Sequence, residues 1–111
     1  MKKLLMAGAI ALLGGTAAAG EWKGTGQGFC VGSNWPFWFT ASVSNGKLDG
    51  RLSSSSFDFP ITGTVKDGIA NLYGVGAQVT MLVMVDLNSK TVLFSADSED
   101  CTGTVKIGEV K

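Results

Sequence analysis

The feature that most constrains this chain is a series of short alternating runs separated by turn-forming residues. Within the runs, apolar and polar side chains alternate, so each strand would have one buried and one wet face, which is typical of antiparallel sheets. Asn-Gly and Asp-Gly are the sharpest turn signals, because type I′ hairpin turns need positive φ at both central residues. Seven breaks predict eight strands; the breaks lie at 30–34, Asn45-Gly46, 53–56, Asp67-Gly68, 74–77, Asn88-Ser89 and 97–100.

The two cysteines indicate how such a sheet would end. Cys30 closes the first predicted strand and Cys101 opens the last. In a meander with an even number of strands, the first and last strands run antiparallel, so these two positions would meet. A disulfide there would close the sheet and remove its free edges. We therefore predict an all-β, eight-stranded antiparallel up-and-down barrel; a two-sheet β-sandwich held by the same bond is the alternative.

The first 19 residues have the pattern of a secretory signal peptide. Lys2 and Lys3 precede an apolar run over residues 4–13, and Ala17 and Ala19 supply the small residues of a cleavage site. The run is shorter than the roughly 20 residues that cross a bilayer. We expect cleavage after Ala19, one all-β domain over residues 20–111, no membrane span after cleavage, and a periplasmic or secreted location, where disulfides persist.

Composition argues against several functional classes. The chain has no His, so it lacks Ser-His and Cys-His pairs, and a zinc site would need more Cys or His ligands. Without Lys2 and Lys3, seven basic residues face nine acidic ones, with no basic stripe for nucleic acid. A solvated loop explains Asp97, Glu99 and Asp100 better than catalytic carboxylates or calcium ligands. We predict no enzyme activity, no metal, no cofactor and no nucleic acid partner.

Glycines occupy alternate positions of the first predicted strand. Gly24, Gly26 and Gly28 share a face with Trp22 and Cys30. A row without side chains leaves room for a neighbouring aromatic ring to lie over the backbone. We expect that ring to come from Trp22 or from the second strand.

Five apolar side chains are candidates for a binding site. Four of them, Trp38, Leu82, Met84 and Leu93, fall on faces predicted to be wet, and Trp35 lies at the edge of a loop. If adjacent, the outward residues would form an exposed apolar patch, which marks interaction sites, where Trp is favoured. The alternatives are bulges that turn some of them inward, or isolated exposed residues without a role.

The orientation of Trp38 depends on the register of the first hairpin. If the numbers of two residues paired across that hairpin add up to an even number, Trp38 lies opposite Gly26, where it would fill the space left by the glycines. An odd sum places Phe37 there instead and leaves Trp38 on the outer face.

Gly20-Glu21-Trp22 resembles the Gly-x-Trp that begins the first strand of lipocalin-type barrels. In that family the Trp packs at the barrel base, typically against a basic residue of the last strand, a role that the resemblance gives to Lys106. In size and pattern the chain also resembles small exported bacterial inhibitors of proteases and lysozymes, which are compact barrels with disulfides.

Two functions follow as hypotheses. The first is an exported β-barrel binding module that takes a small apolar ligand, or a protein partner such as an envelope or secreted enzyme that it inhibits. The second is a structural or self-assembling envelope protein.

Overall fold

The computed structural model describes residues 19–55, 57–75, 80–96 and 101–110. These residues form eight antiparallel strands in one nearly closed, barrel-shaped sheet, which confirms the predicted barrel over the two-sheet sandwich. Except for Ala19, the predicted signal peptide lies outside the described residues. The strands are β1 Gly20–Cys30, β2 Ser33–Ser44, β3 Lys47–Ser54, β4 Asp58–Thr64, β5 Ile69–Val75, β6 Thr80–Asp86, β7 Thr91–Ala96 and β8 Cys101–Glu109.

The sheet follows the chain order, and its first and last strands pair. The hydrogen-bonded order is β4-β3-β2-β1-β8-β7-β6-β5. Cys30 lies directly opposite Cys101 in the β1–β8 ladder and is bonded to it, as predicted, and both cysteines are buried. The disulfide therefore joins the first strand of the chain to the last.

The sheet remains open along one line, between β4 and β5. In the described part of the chain, the only backbone pairing across this seam is the bridge between Lys66 and Ile69. Side chains close the rest of the seam: Leu72 of β5 packs over Gly63 of β4, and Gly74 of β5 lies against residues of β4. We call this line the seam.

The turns show why local sequence predicts this fold. The two central residues of these hairpin turns have positive φ, as type I′ turns require. The values are 53° and 74° in Asn45-Gly46 and 55° and 80° in Asp67-Gly68. The first hairpin differs from the expected loop over residues 30–34. Val31 and Gly32, at φ 52° and 79°, turn the chain in two residues, and β2 begins at Ser33. A β-branched residue rarely adopts positive φ, so the sequence did not indicate this turn.

Large apolar side chains fill the barrel interior. This matches an eight-stranded barrel, whose interior is just wide enough for side chains. Every strand contributes to the core; its largest fully buried members are Phe37, Phe39, Phe59, Leu48, Leu52, Ile61, Met81, Val85, Val92 and Val105.

The glycines of β1 serve two purposes. Gly28 leaves room for the rings of Phe37 and Phe94, which a Cβ there would approach to 2.8 and 2.9 Å. A second-strand ring thus fills the space as predicted, joined by a ring from β7. At Gly24 and Gly26, by contrast, a Cβ would overlap carbonyl oxygens of β8. These two glycines allow the β1 and β8 backbones to approach closely, which the sequence did not indicate.

Candidate binding surface

Three of the candidate residues lie together on the outer face of β6 and β7. In the register of these strands, Met84 is directly opposite Leu93, and Leu82 is the outward-facing residue that precedes Met84 on β6. Leu82 and Leu93 are 41% and 44% exposed, and Met84 is half-buried. Residues 81–85 are apolar on both faces of the strand. Met81, Val83 and Val85 lie inside, so the outward residues cannot turn inward without displacing core residues.

Tyr73 of β5 completes this surface. It pairs with Leu82 and is 67% exposed. Sequence reasoning missed Tyr73 because no face was assigned to β5. In the structure Ala70, Leu72 and Gly74 point inward, so Tyr73 between them points outward.

These side chains line an open groove of about 430 Å³ on the outside of the sheet. We call it the β5–β7 groove. Its lining residues carry no charge, and Asn71, Tyr73 and Ser95 supply an amide and two hydroxyls beside the apolar surface. A mainly apolar concavity with a few polar groups is the usual form of a binding site.

Trp38 is on the outer face but not in this groove. Gly26 is opposite Phe37 and Thr25 is opposite Trp38, so the hairpin has the odd register, and Trp38 is 44% exposed. Two strands, β8 and β1, separate β2 from β7. At about 4.8 Å per strand, Trp38 and Leu93 are about 14 Å apart around the barrel. The structure therefore divides the four outward candidates into a cluster of three and a separate Trp.

Trp35 packs against the core and contributes to the fold. It is half-buried, its indole N–H donates to the carbonyl oxygen of Cys30 at 3.0 Å, and its ring packs edge-on against Phe57 at 5.7 Å. Phe57 in turn stacks with Phe37 and Phe59. Trp35 therefore covers the disulfide end of the core and is not part of either outward surface.

The two residues of the lipocalin-type resemblance lie on opposite sides of the sheet. Trp22 is buried in the core, whereas Lys106 is exposed on the outer face of β8, opposite Thr25 and Thr91. The resemblance itself stays a prediction.

The Asp86 carboxylate stabilises a turn. Asp86 accepts hydrogen bonds from the backbone N–H groups of Ser89 at 3.1 Å and Asn88 at 2.9 Å, and these bonds lower the pKa of its carboxyl group. They hold the turn after β6. Within the described ranges, no three His, Cys, Asp or Glu side chains are placed to hold a metal ion. The acidic turn with Asp97, Glu99 and Asp100 lies outside those ranges.

No helix among the described residues has the length and apolar character needed to cross a membrane. Comparisons with protein-family models, with curated proteins and with solved structures found no match to this chain.

Proposed function

We propose that this protein is an exported binding module that docks a partner protein on the β5–β7 groove, the favoured partner being an envelope or secreted enzyme that it inhibits. The observation that carries the proposal is the contiguity of Tyr73, Leu82, Met84 and Leu93 in one uncharged groove. Contiguous exposed apolar residues of this kind mark interaction sites on protein surfaces.

The shape of the groove favours a protein over a small apolar ligand. Small-molecule sites bury most of the ligand surface, as the interior of a wide barrel does. Here the interior is filled by Phe37, Phe39, Phe59 and their neighbours, and the groove is open to solvent on the outside of the sheet. A protein partner can cover such a groove from above and contribute an apolar side chain to it.

Export is supported by two features. The Cys30–Cys101 disulfide is compatible with an oxidising extracellular compartment. The basic, apolar and small-residue pattern of residues 1–19 predicts the signal peptide that would deliver the chain there.

Self-assembly is the second candidate, and one observation favours it. β5 adjoins the seam, and its sequence, Ile69–Val75, has neither a charge nor a Pro. Natural edge strands usually carry such residues to prevent pairing between copies. A second copy could therefore cover Tyr73 and the groove beside it.

Capture from an envelope extract tests the first candidate. The bait is the oxidised protein without its predicted signal peptide, compared with Leu93→Ser in the groove and with Trp38→Ser as the matched control outside it. We expect wild type and Trp38→Ser to retain the same protein and Leu93→Ser to lose it. Equal capture by all three would contradict the assignment to the groove.

Sedimentation of the same proteins separates the two candidates. A wild-type protein that stays monomeric over a wide concentration range contradicts self-assembly. An oligomer that dissociates in Leu93→Ser supports self-assembly and contradicts a free groove.

A further inference from the structure

The outer face of β2, β3 and β4 carries an exposed aromatic ring beside an ordered polar cluster. Trp38 is directly opposite Ser53, and Ser53 is directly opposite Asp58, so the three residues form one row across the strands. Directly paired side chains are about 5 Å apart, so this row spans about 10 Å from the ring to the carboxylate.

Hydrogen bonds hold the polar cluster in place. The Ser53 hydroxyl donates to Asp58 Oδ1 at 3.1 Å, and Arg51 Nη1 donates to Asp58 Oδ2 at 2.7 Å. Arg51 and Asp58 are nevertheless 54% and 56% exposed. The carboxylate can accept more hydrogen bonds than these two, and the guanidinium has five N–H donors, so both groups keep capacity that faces solvent.

Fold stability does not account for this arrangement. Exposed ion pairs contribute little to stability. An exposed Trp leaves apolar surface in water, and burial of that surface would have stabilised the fold. Arg51 is engaged by Asp58 through Nη1, and Trp38 remains 44% exposed. The combination offers a flat apolar surface next to fixed, charged hydrogen-bonding groups.

We infer that Trp38, Arg51 and Asp58 form a second binding site, which takes a pyranose ring of a carbohydrate. A pyranose whose hydroxyls are equatorial has an apolar face of C–H groups and an edge of hydroxyls. The C–H face can stack on an aromatic ring, whose negative face attracts the weakly positive hydrogens. The hydroxyls can donate to the carboxylate and accept from the guanidinium, in the stronger, charge-assisted class of hydrogen bond.

The site shares no residue with the β5–β7 groove. Leu93 lies three strand spacings from Trp38 in one direction around the barrel and three from Asp58 in the other, although β4 adjoins β5, the edge strand of the groove, across the seam.

Nuclear magnetic resonance titration tests the inference with an internal control. The ¹⁵N-labelled, oxidised protein without its predicted signal peptide contains all eight strands and three Trp residues. Trp22 is in the core and the Trp35 indole donates to Cys30, so the exposed indole N–H is that of Trp38. The probes are cellotriose and triacetylchitotriose, and ribitol is the control with hydroxyls but no ring. We expect both sugars, and not ribitol, to shift the Trp38 indole signal saturably while the other two indole signals stay in place.

Three variants complete the test. Trp38→Ala should abolish the sugar-dependent shifts of neighbouring backbone amides, and Arg51→Gln should weaken binding about tenfold with the ring intact, because a charge-assisted hydrogen bond is lost. Leu93→Ser should bind as the wild type does. No saturable shift with either sugar, equal binding by Trp38→Ala, or loss of binding in Leu93→Ser would each overturn the assignment.

Discussion

Single glycines determine how closely the first and last strands approach. At Gly26, a Cβ would overlap the carbonyl oxygen of Thr104 and lie 2.6 Å from the Cα of Val105. Both obstacles are backbone atoms of β8, so a side-chain rotation cannot relieve them. Close-packed interiors transmit such a displacement to neighbouring residues.

We therefore predict that Gly26→Ala lowers the free energy of unfolding by at least about 1–3 kcal/mol, the usual range for overpacking. Gly108→Ala is the matched control on the partner strand, because a Cβ there meets no atom within 4 Å. It should be neutral, or stabilising by about 0.4–1 kcal/mol through the unfolded chain. Urea unfolding measures both; equal losses in the two variants would contradict this account of Gly26.

The side chains of β2 show how far prediction from this sequence reaches. Phe37 and Phe39 lie in the core, as the alternation of apolar and polar residues within β2 indicates, because that pattern is contained in one strand. Whether Trp38 faces Gly26 or Thr25 depends on the parity of one hairpin, and residues 30–34 did not reveal that Val31 accepts positive φ. A difference of one residue in register exchanges the two faces of a strand.

Like β4 on the other side of the seam, β5 forms a full ladder on one side only. Ile69 exchanges both backbone hydrogen bonds with Lys66, at 2.9 and 3.0 Å, so the backbone groups of Asn71 and Tyr73 also face the seam. The groups of Ala70 and Leu72 face β6, with which β5 forms a full ladder.

This arrangement predicts alternating hydrogen exchange along β5. The amide of Leu72 should be protected, whereas those of Asn71 and Tyr73 should exchange at rates closer to those of an unstructured peptide, because they lack a ladder partner. Val92 and Leu93 of β7, which has a neighbour on both sides, should both be protected. Slow exchange at Asn71 and Tyr73 would show instead that a ladder closes the seam.

Strand order decides which outward residues meet, and this could be predicted only in part. The neighbouring strands β6 and β7 are joined in sequence by the Asn88-Ser89 turn, so contact between Met84 and Leu93 follows from a simple hairpin. The separation of Trp38 from this cluster depends on the β1–β8 closure and on the width of the barrel. Local sequence patterns do not encode those distances.

At the scale of the whole molecule, the disulfide links strands that are distant in sequence. Cys30 and Cys101 are separated by 71 positions, so the bond constrains most of the unfolded chain. In the chain-entropy model, a closed loop of this length is worth roughly 4 kcal/mol. The sequence allowed this bond to be predicted because the chain has two cysteines and therefore one possible intramolecular pairing.

We predict that the double variant Cys30→Ala, Cys101→Ala loses roughly 4 kcal/mol of unfolding free energy in urea. The wild type unfolded under reducing conditions should lose a similar amount, which separates the effect of the bond from that of the substitutions. A loss below about 1 kcal/mol would show that the β1–β8 ladder closes the barrel without covalent help.

The most direct test of the central claim is the affinity of the captured partner for wild type and for Leu93→Ser, measured beside their unfolding free energies. Because Leu93 is 44% exposed, the substitution should change the free energy of unfolding by no more than about 0.5 kcal/mol. Affinity should fall about tenfold or more, as at a central interface residue. Unchanged affinity in the folded variant would contradict the claim that the β5–β7 groove is the binding surface of this protein.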